Sequence, residues 1–172
     1  MTTVPVRLYV NGERHDIHVE PRRTLADALR EDCRLTGTHL GCEHGVCGAC
    51  TVLVDGQPVR ACLMFAVQAE GTSVRTVEGL APDDTTLHPV QQAFWENHGL
   101  QCGFCTPGFL MLITGLLEET PDASEDEIRD VLSSNLCRCT GYQNITKSAL
   151  CAQRAMRFDE PSEPTADAEV TE

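Results

Sequence analysis

Between Gly41 and Cys50 the chain reads Gly-Cys-Glu-His-Gly-Val-Cys-Gly-Ala-Cys, and a further cysteine follows at position 62, so four thiols fall at C-x4-C-x2-C-x11-C. No other feature constrains the fold as strongly. Three thiolates from one short loop and a fourth from a later segment match the spacing that holds a 2Fe-2S cluster. A loop wrapped that tightly needs residues tolerant of positive φ, and Gly41, Gly45 and Gly48 are expected to supply them. Their amides are free to point at sulfur, which stabilises negative charge and tunes the potential. Cys42, Cys47, Cys50 and Cys62 are therefore the first candidate metal ligands.

Other uses of the cysteines fit less well. A structural zinc site more often shows two C-x2-C pairs, or a mixed Cys and His set across a longer spacer. A disulfide framework needs an oxidising compartment, and Met1 to Val10 holds no apolar run of signal-peptide length, Arg7 interrupting what there is. Ten cysteines without an export signal point to the reducing cytoplasm. A Rieske centre replaces a pair of Cys with a pair of His on one iron. With four cysteines already present, His44 reads as a surface residue of the loop.

Charge removes another class. Thirteen basic against 26 acidic residues give a net charge of −13, which excludes a nucleic-acid partner, whose phosphates demand a basic face. Residues 159–172, acidic and carrying Pro161 and Pro164, read as a disordered tail. No stretch approaches the roughly 20 apolar residues of a membrane span.

Val4, Val6, Leu8 and Val10 alternate with polar or small residues as a half-buried strand does. Asn11-Gly12 then signals a hairpin, with Ile17 and Val19 on the returning strand. Thr24 with Asp27 starts a helix over about 24–33. After the cysteine loop, Thr51-Val-Leu-Val, the turn Asp55-Gly56 and Val59 to Cys62 read as a second hairpin, and Ser73 to Val77 as one more short strand. This order, two strands, a helix and a cysteine-bearing loop, is that of a β-grasp ferredoxin. The pattern breaks near residue 80.

The second half changes to helical periodicity. Helices are expected from Pro89 to about Asn97, from Pro107 to Thr120-Pro121, from the Ser124 and Glu127 capping box through Leu132, and from about Asn144 to Met156. Four helices with short connections predict a bundle. The fold class is thus α+β. A ferredoxin-like domain covers 1–79, a helical four-helix-bundle domain 80–158, and a tail 159–172.

The bundle carries Gln101-Cys-Gly-Phe-Cys-Thr-Pro-Gly108 and Asn135-Leu-Cys-Arg-Cys-Thr-Gly-Tyr142. Cys102 and Cys105, three apart, share a face of a helical turn. Cys137 and Cys139, two apart, align in an extended or turning segment. Both pairs sit at helix ends, where free N–H groups favour a negatively charged centre. On spacing alone this second four-thiolate set suits either a 2Fe-2S cluster or zinc.

Together the three motifs closely resemble the small iron-sulfur subunit of the molybdenum hydroxylases, the xanthine dehydrogenase, aldehyde oxidase and aerobic carbon monoxide dehydrogenase family. The resemblance spans about residues 4–156. It implies two 2Fe-2S clusters, the ferredoxin-like one toward FAD on a medium subunit and the helical one toward molybdopterin-bound molybdenum on a large subunit. Cys102, Cys105, Cys137 and Cys139 then ligate the molybdenum-proximal cluster, and Gln101 stands where the family has a glutamine that hydrogen-bonds the pterin. The flavin and molybdenum domains, fused to this one in some relatives, are expected on separate polypeptides, in a dimer of heterotrimers.

The resemblance also implies the function: an electron-transfer subunit that carries electrons from molybdenum through both clusters to FAD, with no catalytic residue of its own. Consistent with flavin on a partner, no G-x-G-x-x-G loop occurs. A free-standing ferredoxin-like carrier and a structural zinc protein are the alternatives. Cys33 and Cys151 lie outside every ligand motif and read as small buried hydrophobes.

Overall fold

A computed structural model describes residues 2–83 and 85–158. The acidic segment 159–172 lies outside the described residues.

The first half is a five-stranded sheet. Strands β1 (Val4–Val10) and β2 (Glu13–Val19) pair antiparallel from Val4 opposite Val19 to Val10 opposite Glu13. Asn11 and Gly12 both take positive φ, as a two-residue hairpin turn with the twist of its strands requires. The predicted alternation buries Val6, Leu8, Val10, Ile17 and Val19. Strands β3 (Thr51–Val54), β4 (Gln57–Arg60) and β5 (Ser73–Arg75) complete the sheet in the order β2-β1-β5-β3-β4, with β5 parallel to β1 and antiparallel to β3.

Two local expectations are corrected. The helix expected over 24–33 begins as α1 (Leu25–Asp27) and widens into a π turn over Ala28–Asp32. The Cys33 amide bonds to the Ala28 carbonyl (2.9 Å) and the Leu35 amide to that of Leu29 (2.8 Å), with Arg34 at φ +60 between them. The wide turn satisfies the last carbonyls without a glycine. Cys62 is not on β4, because the ladder ends at Arg60 and Ala61–Leu63 form a 3-10 turn that buries the cysteine.

The second half holds α2 (Pro89–Glu96), α3 (Thr106–Glu119), α4 (Glu125–Ser133) and α5 (Gln143–Phe158). The Ser124 hydroxyl accepts from the Glu127 amide (3.3 Å) while the Glu127 carboxylate accepts from the Ser124 amide (2.7 Å), the expected capping box. Phe94, Phe109, Met111, Ile113, Ile128, Leu132 and Ile145 are fully buried between the helices.

The halves share a core. Leu53 of β3 packs into the helical cluster. At Gly115 a Cβ would stand 2.8 Å from Leu53 and 2.9 Å from Pro58, so only glycine lets α3 lie this close to the sheet. Arg75 of β5 holds both carboxylate oxygens of Glu118 on α3, at 2.7 and 2.9 Å. Among the described residues, no helix is long and apolar enough to cross a membrane.

Candidate metal centres

The first candidate site is the loop from Gly41 to Cys50. Gly45 and Gly48 take φ +84 and +72, as expected. Gly41 does not. Its need is space, since a Cβ there would stand 3.2 Å from the Cys47 sulfur, and the third left-handed residue is Glu43 at φ +55. His44 is exposed, its Nδ1 turned back on the Cys42 carbonyl.

The loop presents its thiols in two environments. The Cys47 amide donates to the Cys42 sulfur at 3.3 Å, and this amide, then that of His44, draws the Cys42 thiol down to about 6. Cys50 and Cys62 are both buried, and burial pushes the Cys50 thiol up to about 12, the Cys62 backbone amide opposing and the Cys62 thiol adding to it. A buried thiol of that kind gives up its proton only to a cation that compensates the charge.

The second set is assembled from two distant segments. Cys102 and Cys105 do not share a helical turn: Gly103 at φ +84 bends the chain between them, and Cys105 occupies the N-cap position of α3. Each instead meets a cysteine of the other segment. The Cys139 and Cys102 sulfurs stand 3.6 Å apart, and Cys105 and Cys137 lie near enough for the Cys137 thiol to raise that of Cys105. Two thiolates on one tetrahedral metal, with metal–sulfur bonds of about 2.3 Å, stand about 3.8 Å apart. Among the described residues no three His, Cys, Asp or Glu side chains close on one point.

Burial again separates the pairs. Cys102 and Cys139 are exposed, as is Gln101 beside them; Cys105 and Cys137 are half-buried against the helical core. Burial pushes Cys105 up to about 12. At Cys137 burial pulls the same way but is outweighed by hydrogen bonds, first from the Thr140 side chain, so that this thiol is lowered.

A seam joins the two sites. The Leu136 amide donates to the Cys47 carbonyl at 2.9 Å, tying the residue before Cys137 to a cysteine of the first loop. Asn135, 1% exposed, donates from Nδ2 to the Gly48 carbonyl at 3.2 Å. Arg60, two residues before Cys62, donates to the Ser134 carbonyl (2.9 Å) and hydroxyl (3.2 Å) and to the Thr51 hydroxyl. His39 stacks on Phe104 with ring centroids 5.0 Å apart, and its Nδ1 bonds to the Phe104 carbonyl at 2.7 Å. Sequence reasoning singled out none of these as functional. Asn135 and Phe104 lie within the motifs, but Arg60 and His39 carry no local signal.

Cys33 and Cys151 are half-buried, packed against the sheet core and the helical core respectively. Burial, with Asp32 nearby, pushes Cys33 up to about 11.

Comparison with known proteins agrees with this layout. Residues 8–81 match a family model described as a 2Fe-2S iron-sulfur cluster binding domain, and residues 76–150 one described as a 2Fe-2S binding domain. The chain is 56% identical to the nicotine 6-hydroxylase small subunit of Paenarthrobacter nicotinovorans, over 87% of this chain and 89% of the relative. It is 59% identical to caffeine dehydrogenase subunit gamma of Pseudomonas sp. (strain CBB1), over 84% and 88%. Among solved structures, a chain of quinoline 2-oxidoreductase from Pseudomonas putida 86 superposes with a TM-score of 0.87 at 48% identity, covering 94% of this chain and all of the other. The chain therefore belongs to the small iron-sulfur subunits of the xanthine dehydrogenase and aldehyde oxidoreductase-type molybdenum hydroxylases, and serves as the electron-transfer component of a multi-subunit oxidoreductase.

Proposed function

We propose that Cys42, Cys47, Cys50 and Cys62 hold one 2Fe-2S cluster and that Cys102, Cys105, Cys137 and Cys139 hold the other. Within each set the pairs divide the irons: Cys42 with Cys47, Cys50 with Cys62, Cys102 with Cys139, Cys105 with Cys137. The observation that carries this reading is the pairing across 37 residues of Cys102 and Cys139 at 3.6 Å, which spacing alone does not require. Once bound, each cluster takes up and returns one electron. The chain's residues do the rest. Burial of Cys50 and Cys62, and partial burial of Cys105 and Cys137, limits water at these thiols, and the glycines let amides approach sulfur.

In this reading the ferredoxin-like domain, of β-grasp topology, spans 1–79 and the helical domain, its four helices forming a bundle, spans 80–158. Electrons enter at the exposed edge, where Gln101 meets the pterin of a large molybdenum-bearing subunit beside Cys102 and Cys139. The Cys137-Leu136 backbone and its hydrogen bond to the Cys47 carbonyl then connect the two sets of thiols by a continuous bonded route. From the first set electrons leave for FAD on a medium subunit. The assembly is a cytoplasmic dimer of heterotrimers.

The names of the relatives support a substrate class. Those for nicotine, caffeine and quinoline stand at 48–59% identity, and the nicotinate and xanthine dehydrogenases at 43–45%, beside the aldehyde oxidoreductases and aldehyde oxidase at 38–45%. An N-heterocycle hydroxylated on the large subunit is the reading we favour.

Cys105→Ser in the co-purified complex tests the ligand assignment. Iron per small chain should fall from about four to about two, with the first cluster's EPR signal retained under dithionite but no longer appearing on addition of substrate. Retention of both signals would remove Cys105 from the ligand set.

A further inference from the structure

The segment that closes the second set of thiols carries three polar groups that neither the ligand set nor the seam uses: the Thr140 hydroxyl, the Tyr142 amide and the Tyr142 phenol. They form one directed network. The Tyr142 phenol donates to the Asn135 carbonyl and accepts from the Cys137 amide, each at 2.9 Å. Its ring is fixed edge-on against Phe109, centroids 6.1 Å apart. Gly141 and Tyr142, at φ +64 and +67, turn the chain back so that the Tyr142 amide donates to Thr140 Oγ1 at 3.2 Å. A hydroxyl has a single proton. With that amide on its oxygen, the proton is left for one acceptor, and the Cys137 sulfur lies 3.1 Å away.

We propose that Thr140 is a positioning residue that sets the reduction potential of the second cluster through this hydrogen bond to the Cys137 sulfur. The inference rests on Cys137 being a ligand of that cluster. A reduced cluster carries one more negative charge than an oxidised one, so a donor on a ligand sulfur stabilises the reduced form more and raises the potential. The phenol strengthens the effect by fixing geometry. By holding the Cys137 amide it fixes the turn beneath the sulfur, and the Thr140 hydroxyl is the side-chain donor to this ligand from outside the cysteine set. The first set has no counterpart among the described residues, since its donor to Cys42 is a backbone amide. One side chain thus adjusts the second cluster without touching the first.

The test is an EPR-monitored redox titration of the intact complex carrying Thr140→Val or Thr140→Ser. In Thr140→Val the reduced-to-oxidised ratio of the second cluster at fixed potential should fall threefold to tenfold. That is a drop of about 30–60 mV at 59 mV per tenfold for a one-electron couple. The first cluster should not move, and Thr140→Ser, which keeps the hydroxyl, should titrate like the wild type.

Equal midpoints in Val and wild type, or a Ser variant that shifts as far as Val, would overturn the proposal. If Thr140→Val fails to retain the second cluster, Thr140→Ala takes its place. Loss of the cluster from both would overturn it too, making the hydroxyl a requirement of assembly rather than a determinant of potential. A wild-type complex lacking a second cluster signal, or a Cys137→Ser complex keeping an unaltered one, would instead show the ligand assignment to be wrong.

Discussion

Gly108 offers a substitution for which helix propensity and packing give opposite signs. It lies in the first turn of α3, where replacing glycine with alanine would ordinarily gain up to about 1 kcal/mol. Here an added Cβ would stand 2.3 Å from the Gly48 carbonyl oxygen, 3.0 Å from the Ala49 Cα and 3.1 Å from the Ala49 oxygen. A carbon–oxygen contact settles at roughly 3.3 Å or more, so about 1 Å must be found. The obstacle is backbone, and the Gly48 carbonyl is pinned by the Thr51 amide (3.1 Å), the Thr51 hydroxyl (2.7 Å) and Asn135 Nδ2 (3.2 Å).

Overpacking costs about 1–3 kcal/mol and each disturbed hydrogen bond about 1 kcal/mol. After the propensity gain, Gly108→Ala should destabilise the seam by about 2–3 kcal/mol. Hydrogen exchange in the intact complex reads this directly. Protection of the Phe109 to Ile113 amides should fall about 30- to 150-fold, at 1.4 kcal/mol per tenfold. Gly56→Ala, at φ +83 with nothing near its Cβ, should cost about 1–2 kcal/mol and leave α3 unchanged. Protection in Gly108→Ala equal to or above the wild type would refute the packing argument.

Other consequences can be read off single contacts. Arg60→Met removes the guanidinium between Thr51 and Ser134, and should weaken the seam by about 1–2 kcal/mol and reduce the magnetic interaction between the two reduced clusters, with Arg60→Lys intermediate. His88 caps α2 by accepting from the Val90 amide at 3.3 Å, and burial, joined by nearby Arg75 and opposed by Glu118, lowers its pKa. The unfolded chain therefore binds the extra proton first. The cap's contribution, about 1 kcal/mol, is present above about pH 6.5 and is lost as pH falls toward the folded value. Exchange of the Ala93 and Phe94 amides, corrected for intrinsic rates, should quicken between pH 7 and 5.5 in the wild type and not in His88→Asn. Iodoacetamide at pH 8 should label Cys33 far more slowly than an unshielded cysteine, because burial holds its thiol at about 11; labelling at the unshielded rate would contradict this.

The first four candidate ligands stand out in the sequence because spacing is itself the requirement, whereas the second four are named through the family motif, their spacing suiting zinc as well. Helix starts were legible where the signal is local, as in the Ser124 and Glu127 box and at Pro89 and Pro107. What the sequence hid is long-range. Nothing near Gly108 announces that its neighbour is the carbonyl of Gly48, and nothing in C-x2-C predicts that Cys102 pairs with Cys139 rather than Cys105. Gly41 looked like a conformational glycine because the loop is tight, yet it serves close approach to a sulfur while Glu43 takes the left-handed turn. The π turn after α1 escaped notice because its closing bonds reach five and six residues ahead.

The central claim, two 2Fe-2S clusters on one chain relaying electrons within a larger enzyme, is tested most directly by low-temperature EPR of the reduced wild-type complex with iron, molybdenum and FAD measured on the same sample. Two distinguishable 2Fe-2S signals with four irons per small chain, alongside molybdenum and flavin on co-purifying subunits, are the expected result. A single signal with two irons, or zinc in place of iron at the second set, would contradict the account at Cys102, Cys105, Cys137 and Cys139.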